Sequence, residues 1–352
     1  MTILRWLRKS ADGRFADGER AYAKGRFARA AMLWKDAAAC GHAEAAAHLG
    51  EMFAEGKGVL QSLTDAKYWF RLAAEQGVLR AQVRLAELCV AGSSAPVINT
   101  TSGALSLLCP NGITMERDDA MARRWAQTAA EQGDPSGQAL LGYLLASGRG
   151  GATDHKEAAR WYRLAAEQGN ARAQLGFGTL LAGRFLGVPD YKDARNWFTR
   201  AAEQGNGTAM YYLGVLHQRG LDVPIDRDLA VQYFQRAAEA GSSDGNRCLG
   251  LAYLSGEGVP RDPVAAEACL RRAARTGDVE AMVRLGDYFA NEMANAVDAM
   301  EWYRMAAGRG HQGARTMLDR ISARTEGPVD QRGTPAVWCS DHGGSPQRST
   351  GS

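Results

Sequence analysis

Apolar and polar positions along the chain follow the period of amphipathic helices, and the helical segments come in pairs. The first segment of a pair carries small and large apolar residues four positions apart, as in Ala45, Leu49 and Phe53. The second segment carries an aromatic pair followed by two alanines, as in Trp161 and Ala165. Spacings of three and four residues place such side chains on one helical face. The pattern therefore predicts paired helices that pack through large aromatic and small alanine side chains.

This pair of segments recurs along the chain. The string AAEQG or a related string closes each period, and most closing glycines lie 36 residues apart. One interval is 20 residues longer and the last is three residues shorter. The closing glycines are Gly41, Gly77, Gly133, Gly169, Gly205, Gly241, Gly277 and Gly310. Glycine suits the left-handed conformation that ends many helices.

A single helix pair cannot bury its apolar stripe, so consecutive pairs must stack. The sequence therefore predicts an all-α protein, a right-handed α-solenoid of about eight antiparallel helix pairs. The segment 311–324 continues the apolar stripe with more charge outside, and we expect it to be a capping helix.

The pattern AxxxLGxxYxxGxGVxxDxxxAxxWYxxAAEQG resembles the Sel1-like repeat, a relative of the tetratricopeptide repeat. Residues 147–169 and 250–266 carry the resemblance best, and it covers about residues 12–320. The first repeat, residues 21–41, is more similar to a plain tetratricopeptide unit. The resemblance implies a protein-interaction scaffold of the kind found in bacterial signalling, envelope and virulence functions. It does not identify the partner.

Three regions follow from this periodicity. Residues 1–11 form a short N-terminal segment, residues 12–324 form the repeat solenoid, and residues 325–352 lose all periodicity. The last region has the composition of a disordered tail, and we predict that it is one.

The long interval places an insertion between the two helices of repeat three, at about residues 93–118. Its middle is apolar and includes Ile98, Leu105 and Leu108. Because surface loops are ordinarily polar, this segment is expected either to pack on its own solenoid or to bind a partner directly. Both alternatives stay open at this stage.

The net charge and the lack of long apolar runs limit the possible partners and the expected location of the protein. The formal net charge is +3, with 42 basic and 39 acidic residues, which gives little affinity for nucleic acid. No apolar run approaches the roughly 18 residues of a membrane span, and no secretion signal is recognised. We therefore expect a cytoplasmic protein without a transmembrane segment, with a periplasmic location as the alternative.

Candidate chemistry is sparse. The six cysteines form no CxxC pair, and the histidines form no HExxH or triad arrangement. Nucleotide-binding glycine motifs do not occur. We predict that the protein is not an enzyme and that it uses no cofactor and no metal.

By the resemblance to tetratricopeptide geometry, five positions relative to each repeat leucine line a concave groove: five before, two before, two after, five after and six after. We call this assignment the groove rule. Candidate partner-binding residues at these positions are Tyr143, Tyr211, Arg219, Arg247 and Asp287. Tyrosine and arginine are the usual energetic anchors of protein interfaces. The alternative is that they are ordinary exposed residues of a twisted surface.

The leading hypothesis is a non-catalytic adaptor that binds a partner protein or peptide in the groove or through the insertion. A second hypothesis is a bacterial envelope or signalling regulator that binds a peptide or a glycan. A third is an enzyme whose site is built across repeats, which requires a cluster of perturbed acidic or histidine side chains.

Overall fold

The computed structural model describes residues 2–92 and 117–325, and all regular secondary structure in these ranges is helical. The helices are α1 (Thr2–Ala23), α2 (Phe27–Ala39), α3 (Ala43–Glu55), α4 (Leu63–Glu75), α5 (Leu79–Ala91), α6 (Asp119–Glu131), α7 (Pro135–Ser147), α8 (His155–Glu167), α9 (Ala171–Ala182), α10 (Tyr191–Glu203), α11 (Gly207–Arg219), α12 (Arg227–Glu239), α13 (Ser243–Ser255), α14 (Pro263–Arg275), α15 (Val279–Asn291), α16 (Ala296–Gly308) and α17 (Gln312–Thr325). Two helices per repeat and a final capping helix confirm the predicted all-α repeat fold.

The chain divides into two compact units, the first ending at Ile225 and the second beginning at Asp226. The N-terminal unit contains α1 to α11, and the C-terminal unit contains α12 to α17. Within each unit, every helix packs against the next helix in the chain, which gives stacked helix pairs. In the N-terminal unit, α5 also contacts α3 and α7, and α7 also contacts α9. These first helices of successive repeats thus form one continuous surface, which we call the first-helix face.

Helix ends follow from local sequence. At the start of α8, the Asp154 carboxylate accepts a hydrogen bond from the Glu157 amide at 2.9 Å. This cap pairs one of the backbone donors left open at a helix start. Past its end, Gly169 has a φ of 90°, the left-handed region that glycine adopts without steric cost. The predicted role of the closing glycines as helix terminators is confirmed.

The core is built from glycines on first helices and aromatic rings on second helices. A Cβ atom added at Gly142 would lie 2.7 Å from the Tyr162 ring, and one at Gly286 would lie 2.6 Å from the Tyr303 ring. Such distances are shorter than van der Waals contact, so only glycine allows this approach. The repeat glycine therefore sets how closely the two helices of a pair pack.

Glutamine pairs, each with one buried and one exposed member, join neighbouring helices in the middle repeats. The Gln168 amide donates to Gln138 Oε1 at 2.9 Å, and Gln138 donates to the carbonyl oxygen of Ala130 at 3.4 Å. One such pair therefore links α6, α7 and α8. The same arrangement recurs in repeats three and five, in the pairs Gln132–Gln82 and Gln204–Gln174.

The N-terminal helix α1 extends over most of residues 1–11 and continues into the first repeat. At the other end of the chain, Ala314 of the capping helix α17 is fully buried. Among the helices of the described ranges, none has the length and apolar character needed to cross a membrane.

Candidate functional site

A cavity of about 600 Å³ opens on the first-helix face of the N-terminal unit, where α5, α7 and α9 lie side by side. Most of its wall is apolar. The apolar aliphatic side chains that line it are Ala139, Leu140, Ala146, Ala171, Leu175 and Leu180. This volume lies within the range of ligand pockets, which are also mainly apolar with a few placed polar groups.

Helix α7 forms the centre of the cavity because of its composition. Its sequence, PSGQALLGYLLAS, contains no charged residue. Asp134 caps its start by accepting a hydrogen bond from the Gly137 amide at 2.7 Å, and Gly148 ends it in the left-handed conformation. The side chains Ser136 and Tyr143 line the cavity from this helix. The cavity thus has an uncharged central wall.

The Tyr143 side chain is exposed and held in place from one end. Its hydroxyl accepts a hydrogen bond from Arg149 at 3.2 Å, and Arg149 donates to the carbonyl oxygen of Val90 at 2.8 Å. Arg149 also pairs with the Asp119 carboxylate, which raises the pKa of the Arg149 guanidinium. These contacts connect α7 to the ends of α5 and α6, so the Tyr143 ring is a fixed part of the wall.

The Tyr162 side chain reaches the same cavity from α8. Its ring lies against Gly142 of α7, and a Cβ atom at Gly176 of α9 would be 2.5 Å from Tyr162 Cζ, which bears the hydroxyl. The residue is only 7% exposed. No hydrogen-bond partner for its hydroxyl is present in residues 2–92 and 117–325, and burial raises its pKa. The Tyr162 hydroxyl is therefore accessible from the cavity, although the rest of the side chain is buried.

The charged side chains beside the cavity neutralise each other. Arg172 of α9 pairs with Glu87 of α5 at 3.3 Å, across the intervening helix α7. Glu87 also pairs with Arg84 at 2.8 Å, and Arg84 contacts Glu51 at 3.1 Å. The two arginines and two glutamates therefore give this edge of the cavity no net charge.

The predicted site residues of the N-terminal unit differ in their surroundings. Tyr143 lines the cavity, as described. Tyr211 is half-buried, and its ring centroid lies 5.1 Å from that of Tyr212. Arg219 is exposed at the end of α11. Their predicted role in partner binding stays a prediction.

In the C-terminal unit, both predicted site residues make ion pairs or hydrogen bonds within the chain. Arg247 Nε donates to Asp278 at 3.0 Å, and its guanidinium also pairs with Asp244. Asp287 accepts a hydrogen bond from the Tyr303 hydroxyl at 2.7 Å. A partner that uses either residue must share or replace these contacts.

The apolar insertion residues Ile98, Leu105 and Leu108 lie outside the described residues. At the described residues that flank this segment, the Asp118 amide donates to the carbonyl oxygen of Cys89 at 3.1 Å. In the described ranges, no group of three or more histidine, cysteine or acidic side chains has a metal-binding arrangement.

Comparison with known proteins identifies the repeat. A family model described as Sel1 repeat matches more than half of the chain. The matched stretches are residues 43–78, 104–134, 135–170, 171–206, 207–242, 248–278 and 279–311. The chain belongs to the Sel1 repeat family. The first repeat, residues 21–41, lies outside the matched stretches.

Two bacterial proteins of known structure are similar to this Sel1 repeat chain. One is c5321, a protective antigen of uropathogenic Escherichia coli with an SLR fold. It is 29% identical over 91% of this chain and 67% of its own, with a TM-score of 0.61. The other is a Sel1 repeat protein from Oxalobacter formigenes, 25% identical over 84% of this chain and 99% of its own, with a TM-score of 0.53. A search of curated proteins found no significant match.

Sel1 repeats generally mediate protein–protein interaction, and proteins of the family are typically non-catalytic scaffolds. The position of the cavity fits this role, because it lies on the face formed by the first helices of consecutive Sel1 repeats.

Sequence reasoning missed several residues of the cavity. Arg172, Leu175 and Thr179 occupy the same positions around Phe177 that the groove rule assigns around the repeat leucine. They were missed because repeat five has phenylalanine where the other Sel1 repeats have leucine. Gly176 had a signal as well, since it is an additional glycine two positions before the repeat glycine.

Proposed function

We propose that this protein is a non-catalytic adaptor that binds a segment of a partner protein on the first-helix face of its N-terminal unit. The observation that supports this proposal is the cavity between α5, α7 and α9, with its apolar wall and the exposed Tyr143. Tyrosine at the centre of a concave apolar surface is a common anchor of protein interfaces.

The chemistry of this surface favours binding over catalysis. Its charged side chains, Glu87 and Arg172, form an ion pair with each other. Its buried titratable group, Tyr162, has a raised pKa and so stays neutral near physiological pH. A general acid or base works best with a pKa near the operating pH, which Tyr162 does not have.

The proposal is tested by affinity capture from native lysate with matched variants. Leu175→Arg places a charge in the cavity, and Leu164→Arg places the same charge on an exposed position of α8 as a control. We expect the partner to be lost with Leu175→Arg and retained with Leu164→Arg, with both variants keeping the helical circular dichroism of the parent. A partner retained by both variants would move binding away from this cavity.

The insertion is a separate candidate for recognition. A chain with residues 93–118 shortened to the length of the other loops isolates its contribution. Partner loss in this variant alone would assign recognition to the insertion. Equal capture by the shortened and full chains would leave the first-helix face as the binding surface.

The remaining predicted groove residues form a further test. Tyr211→Ala combined with Arg219→Ala removes the two candidates on α11 without changing the cavity lining. We expect weaker capture if the partner segment extends along the face as far as α11. Unchanged capture would confine binding to the surface of α5, α7 and α9.

A further inference from the structure

The cavity contains a combination of residues that the other repeats lack. Tyr162 stands where repeats two, five and six have Phe70, Phe198 and Phe234. Gly176 stands where repeat four has Leu140. The Tyr162 hydroxyl lies next to the space that a side chain at position 176 would fill, because Tyr162 Cζ lies beside the Gly176 backbone.

The oxygen of the Tyr162 hydroxyl is accessible from the cavity, although most of the side chain is buried. The residue is 7% exposed, lines the cavity and makes no hydrogen bond within the described ranges. A hydroxyl that borders a cavity is hydrated in the free protein, and a ligand that displaces this water must supply a hydrogen bond in its place. In repeat eight, the equivalent Tyr303 does have a partner, the Asp287 carboxylate at 2.7 Å. The hydroxyl of Tyr162 is thus available to a molecule that enters the cavity.

The rest of the cavity limits what that molecule can be. Its wall is apolar, α7 contributes no charge, and Glu87 and Arg172 neutralise each other at 3.3 Å. A charged tip at the end of a long side chain would lose its hydration there without gaining an opposite charge.

The other polar side chains that line the cavity are uncharged, and two of them already make hydrogen bonds: Thr179 donates to the carbonyl oxygen of Leu175 at 2.8 Å, and Asn170 Oδ1 accepts from the Ala173 amide at 3.0 Å. The group complementary to the Tyr162 end of the cavity is therefore uncharged and apolar along its length, with one polar atom at its end.

We propose that the cavity binds a tyrosine side chain of the partner segment, whose phenol hydroxyl forms a hydrogen bond with the Tyr162 hydroxyl. This inference rests on the proposed adaptor function and names the residue type that the adaptor selects. A phenol carries its polar atom at the far end of the ring, where it both donates and accepts. An indole carries its N–H at the side of the ring and only donates, so tryptophan fits this arrangement less well. The cavity volume leaves room for the flanking peptide backbone.

The test uses two probes that differ by one hydroxyl, N-acetyl-L-tyrosinamide and N-acetyl-L-phenylalaninamide. Both are titrated into the full chain and into its Tyr162→Phe variant, with binding followed by ligand-observed NMR. Phenylalanine already occupies this position in three other repeats, so the variant is compatible with the fold. We expect the parent protein to bind the tyrosine probe about two- to tenfold more tightly. We expect Tyr162→Phe to bind both probes equally.

A stability measurement separates a binding role from a structural one. If the hydroxyl is unpaired in the free protein, Tyr162→Phe keeps or raises the thermal midpoint of the N-terminal unit. A lowered midpoint would show that the hydroxyl has a partner within the fold and would overturn the proposal. Equal binding of the two probes to the parent protein, tighter binding of N-acetyl-L-tryptophanamide, or no binding of any probe would also overturn it.

These outcomes are independent of the test of the proposed function. Loss of the lysate partner with Leu175→Arg, together with no preference for the tyrosine probe, would leave the adaptor function in place and remove only the tyrosine assignment. A second result would separate the two proposals in the other direction. If the protein prefers the tyrosine probe through Tyr162 but the Leu175→Arg variant still captures the partner, the proposal that the partner binds at this cavity would be overturned.

Discussion

In repeat four, the second helix carries Tyr162 and the first helix carries Tyr143, and in repeat eight the same two positions hold Tyr303 and Asp287. The hydroxyl of Tyr303 donates to Asp287 at 2.7 Å, within its own repeat. The hydroxyl of Tyr162 has no hydrogen-bond partner in the described ranges, and Tyr143 is hydrogen-bonded to Arg149 instead. The first arrangement completes a core, and the second leaves a polar group at the surface of a cavity.

This difference shows what one repeat position does in two contexts. Asp287 and Tyr143 both stand two residues after the repeat leucine, so the groove rule treats them alike. In repeat eight that position supplies an acceptor to the core. In repeat four it supplies an exposed aromatic wall. A position in the repeat therefore indicates where a side chain lies, and its neighbours determine what it binds.

The largest expected effect comes from removing the two tyrosine rings. Tyr303→Ala is expected to destabilise the C-terminal unit by about 3–5 kcal/mol, because Tyr303 is only 2% exposed and fully packed. Tyr162→Ala is expected to cost less, since its ring already borders a cavity. Hydrogen exchange of peptides from α16 and α8 measures each local effect. Equal losses would contradict the distinction between a closed and an open arrangement.

A smaller effect is expected at the partner position. Asp287→Ala leaves the Tyr303 hydroxyl buried and unpaired, at a cost of about 1–3 kcal/mol. Tyr143→Ala leaves Tyr162 as it was and is expected to cost less than that. The double variant Asp287→Ala, Tyr303→Phe serves as the control and is expected to recover part of the loss, because it removes the unpaired hydroxyl. No recovery would mean that Asp287 acts through another contact.

The glutamine pair of repeat four offers a third contrast with repeat eight. Met282 stands in repeat eight at the position of Gln138, and Arg309 stands at that of Gln168. Gln138→Met is expected to cost about 1 kcal/mol, because the Ala130 carbonyl loses a buried hydrogen bond and Gln168 loses a partly buried one. Urea unfolding of the N-terminal unit measures the loss. The reverse change, Met282→Gln, is expected to bring no gain, since no second glutamine is present there.

The smallest expected effect appears in alkaline solution. Burial raises the pKa of both Tyr162 and Tyr303 above 10, their value in the unfolded chain. The unfolded chain therefore loses these protons first, and the free energy of unfolding falls as the pH rises above 10. Tyr162→Phe and Tyr303→Phe are each expected to make this fall less steep, although only Tyr303→Phe lowers stability at neutral pH. A parallel pH profile for parent and variant would contradict the burial of that hydroxyl.

Much of the fold was predictable because the signals are local. The spacing of Ala45, Leu49 and Phe53 identifies a helical face without knowledge of any neighbour. Closing glycines such as Gly169 indicate a left-handed backbone conformation that ends a helix, and Gly169 has this conformation in the structure. The repeated pattern then predicts stacking, because one helix pair cannot bury its stripe.

The candidate site was predictable only in part. The groove rule selected Tyr143, which does line the cavity, and it selected Arg247, whose guanidinium is paired with Asp278 and Asp244. No local pattern distinguishes the two, since Asp278 lies in the following repeat. Gly176 is visible in the sequence as an extra glycine, but its meaning depends on a ring from α8.

The sequence by itself determined the repeat, the glycines that end its second helices and the family, because each rests on residues close together in the chain. The tertiary structure decided which polar side chains find partners within the fold. Tyr162 and Tyr303 occupy one repeat position, yet only Tyr303 meets a carboxylate. A hydrogen bond requires two groups within about 3 Å, and that distance is set by the packing of separate helices.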